Sequence, residues 1–492
     1  MSVRRNIIAN YLGRGWTALL SFVFVPLYIK FLGAEAYGLI GIYLSLLGLL
    51  AVMDLGLSTT LNRMLAQQAV SETNQSGHLV VTFEIVYWSI GLAIGAAIFM
   101  IAPWLTAHWL NQKGLSPEIV TNTIRLMGGV IVFQWPVSLY SGGLMGLQRQ
   151  ALLNAIRSLA ATVQSVGSIL ILWLVAPTIQ AFFVWQLLAG ALQVILLNKC
   201  LKQSLPKTMH KPKFDLKWLL HSWHFSVGTF GITILGTILT QVDKIILSKY
   251  LSLTAFGYYT LASTICSALS SLSAPIFSAA FPRFTQLYAE GDNKRLAELY
   301  HKTSRLMALS MVPIGVTLAF FPSAILFLWL HNAGMVDNVS PILRVMVIGT
   351  AANSIMTLPL ALQLASGWTK LSFYKNIIAV ILFVPMLSVL ISVYGALGGA
   401  ISWTILNLCY VAFEPLVMHR RILQSEMMKW YVADLGAIVL TALVVGGTVW
   451  HFSRQLAHDP LPFILSLVTT WIISGSFLWP RAGNLFRTDT TH

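Results

Sequence analysis

The chain has 492 residues, 57% hydrophobic and only 10% charged, with a mean hydropathy of +0.75 and a formal net charge of +15. Soluble domains carry about a quarter charged residues, so this composition excludes a soluble globular protein and leaves one built for a lipid bilayer. The basic excess does not point to nucleic acid: no basic stretch is interleaved with base-stacking aromatics, and membrane proteins gain such a charge by retaining Lys and Arg on the cytoplasmic side.

In chain order, apolar stretches near the ~20 residues needed to cross a bilayer predict fourteen spans. The first six cover roughly 7–31, 38–64, 79–107, 119–146, 153–176 and 178–200. The next six cover roughly 219–247, 254–282, 303–330, 341–366, 372–394 and 397–419, and two more, 432–452 and 461–479, follow. The basic start "MSVRRNIIANYLGRGW" runs into a full-length span with no cleavage site, so it reads as the first span and not as a leader. The three cysteines, Cys200, Cys266 and Cys409, lie in or beside apolar spans and form no disulfide, zinc or catalytic pattern.

With the N-terminus inside, 23 of the 31 Lys and Arg fall on the cytoplasmic side and 4 on the outer side. That asymmetry predicts an even number of spans with both termini cytoplasmic. The remaining four cations, Arg14, Arg125, Lys244 and Arg344, fall within spans.

The chain repeats after about 220 residues. Ala36, Tyr37 and Gly38 face Ala255, Phe256 and Gly257, and "IRLM" (124–127) matches "LRVM" (343–346), which sets Arg125 over Arg344 at an offset of 219. "GLQRQALLN" (146–154) resembles "GWTKLSFYKN" (367–376), Pro136 has a rough counterpart in Pro359, and Trp185 corresponds to Trp403. Six spans per copy, each copy starting inside, make parallel repeats, a transporter architecture with its site between the halves. The expected organisation is an N-terminal six-helix lobe (1–200), a basic inter-lobe linker (201–218), a C-terminal six-helix lobe (219–422) and an appendage of two helices and a tail (423–492). The linker reads as a solvated cytoplasmic loop.

Polar residues form stripes on two repeat-related spans. Asn6, Asn10, Arg14, Thr17 and Ser21 share one face of the first span, and Ser226, Thr229, Thr233, Thr237, Gln241 and Lys244 one face of the seventh. Such a stripe either hydrogen-bonds another helix or faces water, and the charges on these two favour a hydrated lumen. Arg14 lies nine residues past Arg5, roughly 13 Å along a helix, too deep to snorkel comfortably. Arg125 and Arg344 either snorkel to the outer interface or act as a pair. A lumen rich in cations suits a phosphate-bearing head group, for which arginine is the natural partner.

Four carboxylates sit at depth. Glu84 and Glu414 lie near cytoplasmic ends where basic residues can pair with them; Asp243 and Lys244 are adjacent and point apart at an outer rim. Asp54, in "AVMDLGLSTTLNRML" (51–65), is 16 residues past Gly38, roughly 24 Å down a helix from the outer face. This depth compares with that of Arg14, so a charge pair with Arg14 is the favoured reading; a titrating, ion-coupling carboxylate is the sharper alternative.

Several stretches resemble one known family: "NYLGRGWTALLSFVFVPLYIKFLGAEAYGLIGIYLS", "DLGLSTTLNRMLA", "GLQRQALLN" and "FPRFTQLYAEGDNKRLAELYHK". They are similar to the polysaccharide transporters, the O-antigen or Wzx-type flippases, of the superfamily that also holds multidrug extruders and lipid II flippases. The similarity covers roughly residues 5–420. It implies an all-α membrane fold of two six-helix bundles meeting in a V around a cationic lumen, and export of a polyprenyl-diphosphate-linked oligosaccharide across a bacterial inner membrane by alternating access. It further implies a diphosphate site at Arg14, with Lys244, Arg125 and Arg344 nearer the outer side, no cofactor, and H+ or Na+ coupling through Asp54 or Asp243. Polysaccharide polymerase and assembly proteins are the implied protein partners. The competing readings are a drug or metabolite exporter of the same superfamily and a membrane polymerase or ligase. The latter lacks its expected sizeable outer loop, and His108 and His331 are isolated, with no nucleophile–base or metal-ligand set at the outer face.

Overall fold

The first two predicted spans meet inside one helix, α1 (Val25–Met53), whose only non-helical residue is Gly33, at φ 80°. The computed structural model describes residues 13, 15–54, 56–68, 75–205, 213–215, 218, 236–453 and 460–482, with the backbone alone at 51–53, 460 and 474–482. Asn10 and Arg14, and the Ser226–Thr233 part of the seventh-span stripe, lie outside the described residues.

The remaining spans appear as helices, several of which run eight to ten residues past the apolar stretch, as at Glu290, Asn293 and Ala333. They are α2 (Leu57–Gln68), α3 (Ser76–His108), α4 (Pro117–Gly146), α5 (Gln150–Leu174) and α6 (Ile179–Ser204) in the first half. The second half holds α7 (Leu253–Ser271), α8 (Ser273–Glu290), α9 (Asn293–Phe320), α10 (Pro322–Leu330), α11 (Ala333–Ile355) and α12 (Thr357–Ala365). It continues with α13 (Thr369–Tyr394), α14 (Ala396–Met418), α15 (Ala437–Phe452) and α16 (Pro460–Ala482). The seventh span is described as helix over 236–250. Ten of the described helices are long and apolar enough to cross a membrane.

Four predicted spans are each two helices in series, α1–α2, α7–α8, α9–α10 and α11–α12. The breaks fall where a helix loses a backbone partner: Gly56 turns left-handed at φ 72°, and Pro322, which has no N–H to donate, opens α10.

The chain forms two compact units, Met1–Gly257 and Tyr258–His492. In the first, α3 packs on α4, α4 on α6 and α2 on α4. Its core holds Leu61, Leu65, Phe83, Tyr87, Leu139, Tyr140, Leu144, Leu197 and Leu201. The unit boundary falls past the seventh span, whose described part docks here: Gln241 lies against Gly48, and Trp109 Nε1 donates to Ser248 Oγ at 3.0 Å. The described part of the linker is not simply solvated either. Lys213 N donates to His78 Nδ1 at 2.9 Å, and Asp215 N to Thr82 Oγ1 at 3.0 Å, tying it to the start of α3.

In the second unit α9 packs on α11, and α11 on α14; α15 and α16, the appended pair, pack against α9. Entry into α15 runs through a π-helical turn, Trp430–Gly436, which carries the fully buried Asp434. That carboxylate accepts from Arg305 Nε at 2.6 Å and pairs with His301 Nδ1, while His301 Nε2 lies 2.8 Å from Glu426. All four groups thus satisfy one another at the joint between α9 and the appendage.

Candidate functional site

The break between α1 and α2 shapes the most unusual polar site of the first unit. Asp54 sits in the break, its carbonyl accepting from Leu57 N at 2.8 Å, and its half-buried side chain turns toward three helices. Ser58 Oγ on α2 donates to Oδ2 at 2.6 Å and Ser138 Oγ on α4 to Oδ1 at 3.3 Å; the Tyr87 hydroxyl on α3 also donates to Oδ1. Hydroxyl donors replace the water that a partly buried carboxylate gives up. Its expected partner Arg14 lies outside the described residues.

The helices are held close enough for this by small residues on α4. A Cβ at Gly142 would lie 2.4 Å from Ser58 O, and one at Gly146 2.4 Å from Asn62 O. Four-residue spacing of glycines lets two helix backbones touch, a membrane packing device that needs no hydrophobic drive. Ser138, one turn earlier on the same face, is thereby delivered to Asp54. Sequence reasoning missed Tyr87, Ser138 and this pair of glycines, although "GGLMG" (142–146) carries the small-xxx-small signal in plain view.

A second close crossing joins the repeat-related motifs themselves. A Cβ at Gly38 would lie 2.2 Å from Leu253 O, and one at Gly257 2.2 Å from Ala34 O. The glycines aligned by the repeat are therefore pressed against each other, backbone to backbone.

The cations assigned to the spans have separate surroundings. Lys244 Nζ donates to Thr240 O at 3.3 Å and Gln241 Oε1 at 3.4 Å, and Asp243 beside it is buried. Arg125 opens onto a groove of about 870 Å³ among α3, α4 and α6. Its guanidinium carbon stands 4.8 Å from the Phe99 ring centroid, and Nη1 reaches Asn122 Oδ1 at 3.4 Å. Arg344, its repeat counterpart, instead donates Nε to Ala319 O at 3.1 Å, satisfying a carbonyl of the last turn of α9 that has no helical partner. The two arginines share a sequence register but not a contact. On the first span, Thr17 and Ser21 bond the carbonyls of Gly13 and Thr17, four residues back on their own helix.

Glu84 and Glu414 are both paired with lysine, as expected for carboxylates near basic helix ends. Glu84 accepts from Tyr140 OH at 2.7 Å and Asn198 Nδ2 at 2.6 Å, with Lys202 Nζ 3.1 Å away. Glu414, buried, accepts from Gln363 Nε2 at 2.7 Å and Lys375 Nζ at 2.9 Å, and Lys375 also lies over the Tyr410 ring. Each half thus groups a carboxylate, a lysine, an amide and a tyrosine, with the lysine half-exposed in the first and largely buried in the second. Among the described residues no group of three or more His, Cys, Asp or Glu is arranged to hold a metal.

The family model described as polysaccharide biosynthesis protein matches residues 3–288, more than half of the chain. The chain belongs to this polysaccharide biosynthesis family. A second model, MatE, matches residues 229–390. Within the family's range of similarity, the succinoglycan biosynthesis transport protein ExoT of Rhizobium meliloti (strain 1021) is 22% identical over 94% of this chain and 90% of its own. The lipopolysaccharide biosynthesis protein WzxC of Escherichia coli (strain K12) is 20% identical over 88% of this chain and 85% of its own. Among solved structures the fold is shared with the lipid II flippase MurJ in an inward closed conformation, with a TM-score of 0.73 at 15% identity, over 97% of this chain and 99% of that one. The chain is thus all-α and multi-pass, as the resemblance implies.

Proposed function

We propose that this chain moves a polyprenyl-diphosphate-linked oligosaccharide from the cytoplasmic to the outer leaflet of a bacterial inner membrane by alternating access, supplying cell-surface polysaccharide synthesis. The observation that carries the reading is family membership over more than half the chain, with relatives named for succinoglycan transport and lipopolysaccharide synthesis aligning along nearly all of it. The chemistry agrees: a flippase makes and breaks no bond, so it needs a path for a charged head group and no catalytic set.

In this reading the prenyl tail stays in lipid while the diphosphate meets cations. Arg14, flanked by Asn10 on the same face, and Lys244, bonded to Gln241, are the residues we assign to it, because charge-assisted hydrogen bonds to phosphate replace the lost hydration. Arg125 and Arg344 are engaged elsewhere, with the groove and with a helix end. Asp54, held by hydroxyls in a helix break, is assigned the coupling of transport to a H+ or Na+ gradient, with Asp243 as the second carboxylate available. The tight Gly38–Gly257 crossing serves as the closure at the outer ends of its helices, with both termini cytoplasmic. A polymerase or assembly protein then takes up the delivered glycan.

The test is complementation. A strain deleted for the gene should lose surface polysaccharide, and the intact chain should restore it. Arg14→Ala should fail to restore it at unchanged protein abundance; full restoration by that variant removes Arg14 from the site. The MatE match over 229–390 favours one other reading, a drug exporter. It requires that deletion sensitise cells to cationic drugs while leaving the glycan intact.

A further inference from the structure

We infer that the groove among α3, α4 and α6 is an intramembrane binding site for one anionic phospholipid, its phosphate held by Arg125. The groove is graded from polar to apolar. At one end stand Asn122 and Arg125, near the start of α4, and Gln180, one residue into α6. At the other lie Leu92, Val132 and Leu187. Along α3 it runs from Met100 back to Leu92, about 12 Å at 1.5 Å per residue, close to the ~15 Å acyl depth of one leaflet. A head group at one end and a chain along the rest is the shape of a lipid, and about 870 Å³ is within the ~300–1,000 Å³ typical of ligand sites.

The walls face lipid and not water. From Leu92 to Trp104 every exposed residue of α3 is apolar, Leu92, Phe99, Met100 and Trp104 among them. In such a wall a lone arginine is costly unless satisfied. Arg125 stacks on Phe99 and reaches one amide oxygen at 3.4 Å, but no carboxylate pairs with it among the described residues and its buried Nε has no hydrogen-bond partner. A phosphodiester in the groove supplies the missing charge, and its oxygens accept from the terminal N–H groups of the guanidinium.

The lining also selects a head group. It holds no carboxylate to receive an ammonium, while Asn122 and Gln180 offer amides to hydroxyl groups. That combination fits a phosphatidylglycerol-type lipid better than an ethanolamine one. The second half supplies a contrast: α9, the repeat counterpart of α3, is packed by α15 and α16, so there the protein covers with its own helices the surface that α3 leaves to lipid.

The test is native mass spectrometry of the full chain, delipidated in detergent and titrated with phosphatidylglycerol or phosphatidylethanolamine. The expected result is one tightly retained phosphatidylglycerol per chain, with affinity at least tenfold weaker for phosphatidylethanolamine. Arg125→Gln should lose that selective binding, and so should Ala96→Trp, which fills the groove from an exposed position; Arg344→Gln should keep it. Equal retention of both lipids, or unchanged retention in Ala96→Trp, overturns the proposal. If Arg125→Gln does not fold, Ala96→Trp alone decides.

Discussion

Asp54 shows what a membrane protein does with a carboxylate that it keeps. Three hydroxyls from α2, α3 and α4 point at it, and hydrogen bonds to a charged group contribute about 1.5–3 kcal/mol each. Hydroxyls stabilise the ionised form without neutralising it, which leaves the charge available to a cation or a proton; a carboxylate already bridged to lysine, such as Glu414, has no such freedom. If Asp54 couples transport to an ion gradient, Asp54→Asn should keep the fold, since the amide oxygen still accepts from Tyr87 and Ser138 while the amide NH2 donates to the Ser58 hydroxyl, yet make export in vesicles independent of the imposed gradient. A gradient response equal to that of the parent chain would leave Asp54 a purely structural acceptor.

Helices without a hydrophobic drive between them depend on how closely their backbones fit. The α2–α4 crossing rests on Gly142 and Gly146, and Gly142→Leu would push a side chain into Ser58 O, 2.4 Å from the position of its Cβ. Overpacking costs about 1–3 kcal/mol, and here it also separates Ser138 from Asp54. We expect a lower unfolding temperature in detergent and lost complementation from Gly142→Leu, with Gly143→Ala, whose Cβ meets only the movable end of Leu201, far milder. Equal behaviour of the two would refute a backbone-contact role. The elements themselves were legible because each span averages hydropathy over some twenty residues. That averaging hides a one-residue break, so the spans run as continuous helix through the α1–α2 break at Asp54 and through Phe321–Pro322; at Gly33 the opposite holds, since the sequence places a connection there and the chain stays helical apart from that glycine. The lysine partners of Glu84 and Glu414 were legible in kind, from their basic surroundings. The Arg125–Arg344 equivalence was legible as register, but the contacts of each depend on what packs beside it, which no spacing reports.

For the molecule as a whole, the second unit adds a dependence on acidity. His419, buried at the end of α14 against Tyr300, donates Nδ1 to Leu423 O at 3.1 Å, and burial pushes its pKa below the ordinary 6.5. Glu426 is also held down: partial burial raises it, but the His301 hydrogen bond and Lys429 outweigh that. Both groups are shifted so that the unfolded chain takes up protons first as pH falls. The stability they contribute is present at neutral pH and is lost on acidification, for His419 from about pH 6.5 downward and for Glu426 further into acid. The melting temperature in detergent should therefore fall between pH 7.5 and 5.5, and His419→Gln should flatten that limb; an equal slope in the variant would assign the loss to other groups. The helical class was readable from the sequence. The tie between appendage and core was not, because it joins residues far apart in the chain.

That tie bears on how the protein is made. Asp434 lies seven residues into its helical segment, and its partners Arg305 and His301 precede it by 129 and 133 residues. A helix entering the bilayer alone with an unpaired carboxylate is penalised, by about 2.5–3.5 kcal/mol at the helix centre on insertion scales and less toward an end, and the penalty lapses once a cation waits beside it. Synthesis from the N-terminus sets α9 in the membrane first, so the last hairpin arrives to find its counter-charges in place. The appended helices are thus a late step of biogenesis, templated by the finished half they lock onto.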